Sequence, residues 1–271
     1  MQHLSPMSQH SLDGLPSVSV ILPVINETWS LEESIRILVA ENREHLKEIL
    51  IVVSPRTDKK SFDVIEQLLN CYPTLIRVHQ QTLPYLGGAI REAFSIVKGE
   101  YIVLMASDLE TDPHVVRSMI NRIEDGNYDM VVGSRWLEKQ AFHGYSFGKY
   151  VCNYIFQKLF SLLYHVTLTD LTYGFRIYRS AVIREIIWEE LRHPFLFECL
   201  VKPLKLGCRV KEIPAKWVAR KEGVSQNVLS SYVGYFRIGL KVAFADPRTF
   251  SKHSGAELLP KSPTQEERPC M

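Results

Sequence analysis

An α/β fold, with a mostly parallel central sheet and helices on both faces, is what this sequence predicts, and three observations predict it. Short runs such as "SVSVILPV" and "EILIVVS" are apolar nearly throughout, as strands are when a parallel sheet is covered on both faces. Longer amphipathic stretches fall between those runs, giving strand–helix alternation. The polar and acidic motifs stand at the carboxyl ends of the strands, where open parallel sheets collect ligands.

The elements follow in order. Residues 17–24 read as a strand and 30–46, "SLEESIRILVAENREHL", as a helix. Ser30 followed three residues later by Glu33 has the form of a capping box for that helix. A strand at 48–54 precedes a helix at 61–72, with apolar residues at 62, 65, 68 and 69. Residues 75–80 read as a strand, and "GGAIREAFSIV" (87–97) as a helix opened by glycines. The strand 101–105 empties into an acidic turn; a helix from Pro113 to Glu124 and the strand 128–134 follow.

The 271 residues suit one large domain or two small ones. We expect a polar tail at 1–16, a domain at 17–247 and a second tail at 248–271. The domain divides into two halves, 17–134 and 135–247. With 32 basic and 30 acidic residues, no global field argues for nucleic acid. The five cysteines form no CxxC pair, and a reducing, cytoplasmic location is expected. No apolar run reaches the roughly 18–20 residues of a spanning helix. The most apolar segment, "FGKYVCNYIFQKLFSLLYHV", is interrupted by Lys149, Asn153, Gln157 and Lys158.

Several residues carry chemistry. "LPVINE" sets Asn26 and Glu27 over the first strand end; the carboxylate serves either a ligand or the dipole of the next helix. In "MASDLETDP", Asp112 precedes Pro113 and caps the helix, which leaves Asp108 and Glu110. Two carboxylates two residues apart in extended chain point the same way and can reach one divalent cation, Mg²⁺ or Mn²⁺ on a diphosphate; helix capping is the other reading. Asp170 and Arg176 flank a glycine in "TDLTYGFRIYRS". Glu198 lies inside the apolar run "PFLFECL", where a carboxylate is either paired or held for use. "VARKEGVSQ" offers Arg220, which could clamp a diphosphate, or else a solvated charge run. In 230–247, Arg237 and Lys241 share one helical face amid aromatic and aliphatic residues; such a helix suits either a membrane surface or packing on the domain.

From about residue 17 to 245 the blocks "VSVILPVINE", "EILIVVSPRTD", "YLGGAIREAF", "MASDLETDP", "YDMVVGSRW", "LTDLTYGFRIYRS" and "RKEGVSQ" occur in the order of the family 2 glycosyltransferases. The chain resembles that family, most of all its polyprenyl-phosphate (dolichol-phosphate) sugar transferases. The resemblance implies a GT-A type nucleotide-binding fold and a nucleoside-diphosphate sugar donor. It places Pro23, Ile25, Glu27, Ser54 and Ser107 at the nucleotide sugar, with Arg135 near its phosphates or near the acceptor phosphate. Asp108 and Glu110 would hold the metal, Arg220 would grip the diphosphate, and Ser225 and Gln226 would close the site. Asp170 and Arg176 fall on the acceptor side.

Departures from the family pattern cluster at the donor. Ile25 replaces a common aromatic, Val53 and Ser54 replace two aspartates, Ala106 replaces the first acid of the metal motif, and Gln226 replaces a lysine. The resemblance implies inversion with Asp108 central to catalysis. A polyprenyl-phosphate acceptor needs no general base, whereas a hydroxyl or glycan acceptor does, and Glu198 is the candidate base. A contact with the cytoplasmic face of a membrane is a further expectation. The missing acids motivate a second reading, a degenerate member that binds nucleotide or a partner without turnover. A nucleotidyltransferase is disfavoured, because no arginine- and lysine-rich glycine loop follows the first strand.

Overall fold

The computed structural model of the chain describes residues 14–138, 147–218, 222 and 231–252. Seven strands form one sheet: β1 (Val18–Val24), β2 (Leu46–Val53), β3 (Ile76–Gln80), β4 (Tyr101–Leu104), β5 (Met130–Ser134), β6 (Arg176–Arg179) and β7 (Val210–Pro214). Their order is β3-β2-β1-β4-β6-β5-β7. β1 pairs in parallel with β2 and β4, β2 with β3, and β5 with β7. β6 runs antiparallel between β4 and β5. The sheet is mostly parallel, as expected.

Alternate side chains of each strand enter opposite cores. Ile21, Leu50 and Leu104 pack beneath α3 (Tyr85–Ile96), α5 (Phe147–Leu163), α6 (Ser180–Arg184), α7 (Phe195–Lys205) and α8 (Ser231–Phe244). Val20, Leu22, Ile49 and Val103 pack beneath α1 (Trp29–Asn42), α2 (Lys59–Cys71) and α4 (Val115–Glu124). Each such aliphatic side chain contributes about 1.5–3 kcal/mol when removed from water, which is why the strands read as apolar throughout.

Two local expectations are corrected. α1 ends at Asn42, four residues early: His45 donates its backbone N–H to the Asn42 carbonyl, and Leu46 already opens β2. The expected capping box does not form, since Thr28 precedes the helix, Ser30 lies within it and Glu33 pairs with Arg36. The chain also stays in the fold beyond 247. Phe250 is buried, and the Ile187 N–H donates to its carbonyl.

Candidate functional site at the carboxyl edge of the sheet

Because β1 pairs with both β2 and β4, the turns after these three strands lie side by side. At the end of β1, Glu27 folds back and its Oε2 accepts the N–H groups of Ile25 (2.7 Å) and Asn26 (3.0 Å). The Ile25 carbonyl accepts from Asp58 at 2.7 Å. At the end of β2, Ser54 Oγ accepts the Arg56 N–H at 3.0 Å, while Thr57 Oγ1 accepts from Ser54 N–H and donates to the Val24 carbonyl. Ser107 Oγ donates to the Pro23 carbonyl at 2.7 Å, tying the β4 turn to β1. The side chains of Glu27, Ser54 and Ser107 thus shape the floor of this edge.

The acidic turn departs from the expected extended geometry. Leu109 lies in the left-handed region at φ 58°, and Asp108 Oδ1 accepts the Glu110 N–H at 3.0 Å. A leucine there costs on the order of 1–2 kcal/mol, and such outliers concentrate where surroundings fix a working geometry. Asp112 Oδ1 accepts the His114 N–H in the turn before α4. The helix itself begins at Val115 with His114 at its N-cap and no side-chain cap, so the expected capping by Asp112 is corrected to a bond in the preceding turn. Trp217 Nε1 lies 3.4 Å from Glu110 Oε2, and Val218 donates its N–H to the Glu110 carbonyl. The segment after β7 therefore backs the turn.

Arg135 and Asp170, 35 residues apart, form one ion pair, the carboxylate fully buried. Arg135 Nε and Nη2 reach Asp170 Oδ2 and Oδ1 at 2.7 and 2.9 Å. The guanidinium also sits 4.9 Å over the Tyr173 ring. The Tyr173 hydroxyl lies 3.5 Å from the Glu110 carbonyl, so this side chain joins the pair to the acidic turn. Burial pushes the Tyr173 phenol far above its ordinary range, and it stays a neutral donor. Gln157 on α5 donates to Thr172 Oγ1 and accepts the Leu171 N–H, while Glu212 on β7 accepts both Thr169 and Asp170 N–H groups. Burial raises the Glu212 carboxyl against these bonds. Arg176 is fully buried and donates to the Leu171 and Leu196 carbonyls, holding this loop against α7.

Glu198 is also fully buried. Its Oε1 and Oε2 accept the N–H groups of Glu189 (3.0 Å) and Glu190 (2.9 Å), and Lys202 pairs with it one turn on. Both oxygens are engaged, so the expectation of a base facing an acceptor is corrected: Glu198 secures the 187–194 loop. That loop carries His193, whose Nδ1 is 2.7 Å from the Tyr235 hydroxyl on α8. Burial lowers His193 to about 4, against the pull of Glu110, so it is neutral at pH 7.

Arg220, Ser225 and Gln226 lie outside the described residues, yet their neighbour Glu222 does not. Its carboxylate accepts N–H and hydroxyl bonds from Thr28 and Ser30, 192 residues before it in the latter case, and so caps α1. Sequence reasoning missed Glu222, Gln157, Tyr173 and His193. Gln157 had a visible signal, a polar residue inside the most apolar run; Glu222 stood in a quoted motif without a feature of its own.

Asp108 and Glu110 supply hard oxygen donors. No group of three or more His, Cys, Asp or Glu side chains able to hold a metal occurs among the described residues. Mg²⁺ typically takes one or two carboxylates and completes its shell with substrate phosphates and water. Asp108 and Glu110 are oxygen donors of that chemical kind, while the left-handed Leu109 between them removes the extended geometry that was expected to aim both at one cation.

A mostly parallel sheet of this order, with its polar turns gathered at one edge, is a GT-A type nucleotide-binding fold. The family described as Glycosyl transferase family 2 matches residues 19–187, more than half of the chain, and the chain belongs to it. It is 27% identical to glycosyltransferase AglD of Haloferax volcanii over 207 residues, 74% of this chain and 33% of that protein. It is 23% identical to the dodecaprenyl-phosphate galacturonate synthase of Rhizobium johnstonii over 215 residues, 79% of this chain and 62% of that one. The chain thus spans a third of the first of these relatives and under two thirds of the second. Among solved structures it is similar to the glucosyl-3-phosphoglycerate synthase of Mycobacterium tuberculosis in complex with Mn²⁺, uridine diphosphate and phosphoglyceric acid. That likeness has TM-score 0.65 at 15% identity, covers 85% of this chain and 80% of that one, and concerns the fold.

Proposed function

We propose that the chain moves a sugar, with inversion, from a nucleoside-diphosphate sugar to a polyprenyl phosphate at the cytoplasmic face of a membrane. The observation that carries the acceptor class is the outer face of α5 and α8. The two helices meet through Phe156, Phe160 and Phe236, with Phe236 rings 5.1 and 5.5 Å away. Gly239 allows this approach, since a Cβ there would stand 2.2 Å from the Phe160 ring. Around that contact, Ile155, Leu159 and Leu162 on α5 and Val233, Leu240 and Phe244 on α8 are exposed, Leu162 by 73% and Phe244 by 78%. Asn153 and Gln157 instead point inward, and neither helix carries an acid. Outward apolar side chains interspersed with Lys158, Arg237 and Lys241, beside an inward face that is also apolar, suit an interface between headgroups and acyl chains. No helix among the described residues is long and apolar enough to cross a membrane.

The inward Gln157 links this face to the Arg135–Asp170 pair, so an acyl surface and the carboxyl edge share one scaffold. A phosphate acceptor is ionised at neutral pH and needs no base, in keeping with a Glu198 whose oxygens are both engaged. On this reading Asp108 and Glu110 hold Mg²⁺ or Mn²⁺, which offsets charge on the departing diphosphate. Arg220, Ser225 and Gln226 close over the donor, a role supported by the Glu222 anchor on α1. The second reading, nucleotide binding without turnover, draws on Ala106 and on a Ser54 occupied by its own turn.

The deciding experiment supplies a panel of sugar nucleotides, with and without Mn²⁺, to the protein alongside polyprenyl phosphate in vesicles or a soluble glycan. We expect metal-dependent release of nucleoside diphosphate and label in the lipid. Label in the glycan alone would refute the acceptor class. Tight nucleotide binding with no release from any donor would select the second reading.

A further inference from the structure

Tyr85, the first residue of α3, has φ 64°, a left-handed backbone that an aromatic side chain rarely adopts. It is also 49% exposed, so burial of its ring does not account for the strain. Something else holds it: the Arg192 guanidinium lies 4.2 Å over the ring, and Arg192 Nη2 donates to the Tyr85 hydroxyl at 3.1 Å.

Both partners are fixed from behind. Gln81 Nε2 donates to the Leu83 and Tyr85 carbonyls. Glu190 Oε1 accepts the N–H groups of Leu191 and Arg192. Gly88 donates its N–H to the Leu191 carbonyl, and Gly87 lies so close that a Cβ would stand 2.6 Å from the Leu191 carbonyl carbon. The result is a rigid aromatic–cation stack presented to solvent.

Its position is the carboxyl edge. α3 packs on β1 and β2, and the loop before it continues from β3 with Gln81 bonded to the last residue of β2. Through Gln81 the stack stands beside the end of β2, whose turn carries Ser54 next to Ile25 of β1. Those side chains offer a base no ring: the Ser54 hydroxyl already accepts the Arg56 N–H, and the Ile25 side chain has no polar group. A planar ring backed by a guanidinium is a surface on which a second aromatic ring stacks, whichever base it is.

We propose that Tyr85, with Arg192 behind it, is the platform for the base of the donor nucleotide, replacing contacts that the ends of β1 and β2 do not make. This rests on the donor-site reading above. The test measures Mn²⁺-dependent binding of uridine, guanosine, adenosine and cytidine diphosphates, and of inorganic pyrophosphate, by calorimetry. Tyr85→Gly suits the left-handed backbone, so its melting temperature should be unchanged or higher. Its affinity for the preferred nucleoside diphosphate should fall about tenfold or more, the loss of one base–aromatic stack, while pyrophosphate binding stays as in the wild type. Tyr85→Phe, which keeps the ring, should retain most of the affinity. Equal nucleotide binding by wild type and Tyr85→Gly would overturn the inference alone, as would parallel loss of pyrophosphate binding. A wild-type protein that binds pyrophosphate and none of the four nucleotides would overturn the platform, and one that binds none of the five would overturn the donor site with it.

Discussion

The acidic turn after β4 and the buried acids of the second half look alike in sequence and behave differently in the fold. Asp170 and Glu198 each meet a cation, Arg135 and Lys202, and each accepts backbone N–H groups that pin a loop. Asp108 accepts an N–H from its own turn, on a backbone held left-handed at Leu109. The first arrangement satisfies an acid in order to hold structure. In the second, the acid is fixed within a strained turn of its own. An acid beside an apolar run therefore says little until its partner is known.

The comparison breaks most readily at Asp170. Asp170→Ala leaves Arg135 buried to 12% side-chain exposure without its carboxylate, and removing one member of a buried pair typically costs about 3–5 kcal/mol. Urea denaturation should show a loss of that order. A loss below about 1 kcal/mol, the range of an exposed pair, would mean that the knot is not structural.

Asp108→Asn is the counterpart. It keeps an oxygen for the Glu110 N–H, so stability should change by less than about 1 kcal/mol. Turnover of the donor should fall by about 10²–10³, the scale for losing one charge-stabilising group. Equal damage to stability and turnover would place Asp108 with Asp170 and erase the distinction.

The same contrast explains what was legible. β1, β2, β4 and β5 stand within two residues of their expected ends because strands buried on both faces read as near-continuous apolar runs, and the edge strand β3 is found there too despite Arg77, His79 and Gln80. The acidic turn stood out in the sequence by its position at a strand end, while its left-handed geometry at Leu109 was not encoded in any local pattern. Glu198 and Lys202 stand at the i,i+4 spacing of one helix, a pairing the sequence could have shown, whereas Asp170 lies 35 residues from Arg135 and no local period encodes that. The capping of α1 was misassigned for the same reason. Ser30 and Glu33 have the right spacing, yet the carboxylate that binds Ser30 comes from Glu222.

That anchor gives the smallest effect. Burial works to raise the Glu222 carboxyl, but the bonds from Thr28 and Ser30 outweigh it and hold it below the ordinary carboxylate range. A lowered folded value means that the anchor contributes fully above that range and is lost as pH falls through the lowered value. At neutral pH, Glu222→Ala removes a helix cap worth about 1 kcal/mol, so opening beside it should rise roughly fivefold. Arg220 and Lys221 adjoin it in sequence, and limited trypsin digestion followed by mass spectrometry would read cleavage there directly. An unchanged rate would separate the loop from α1 and leave the donor edge bounded by the three strand turns alone.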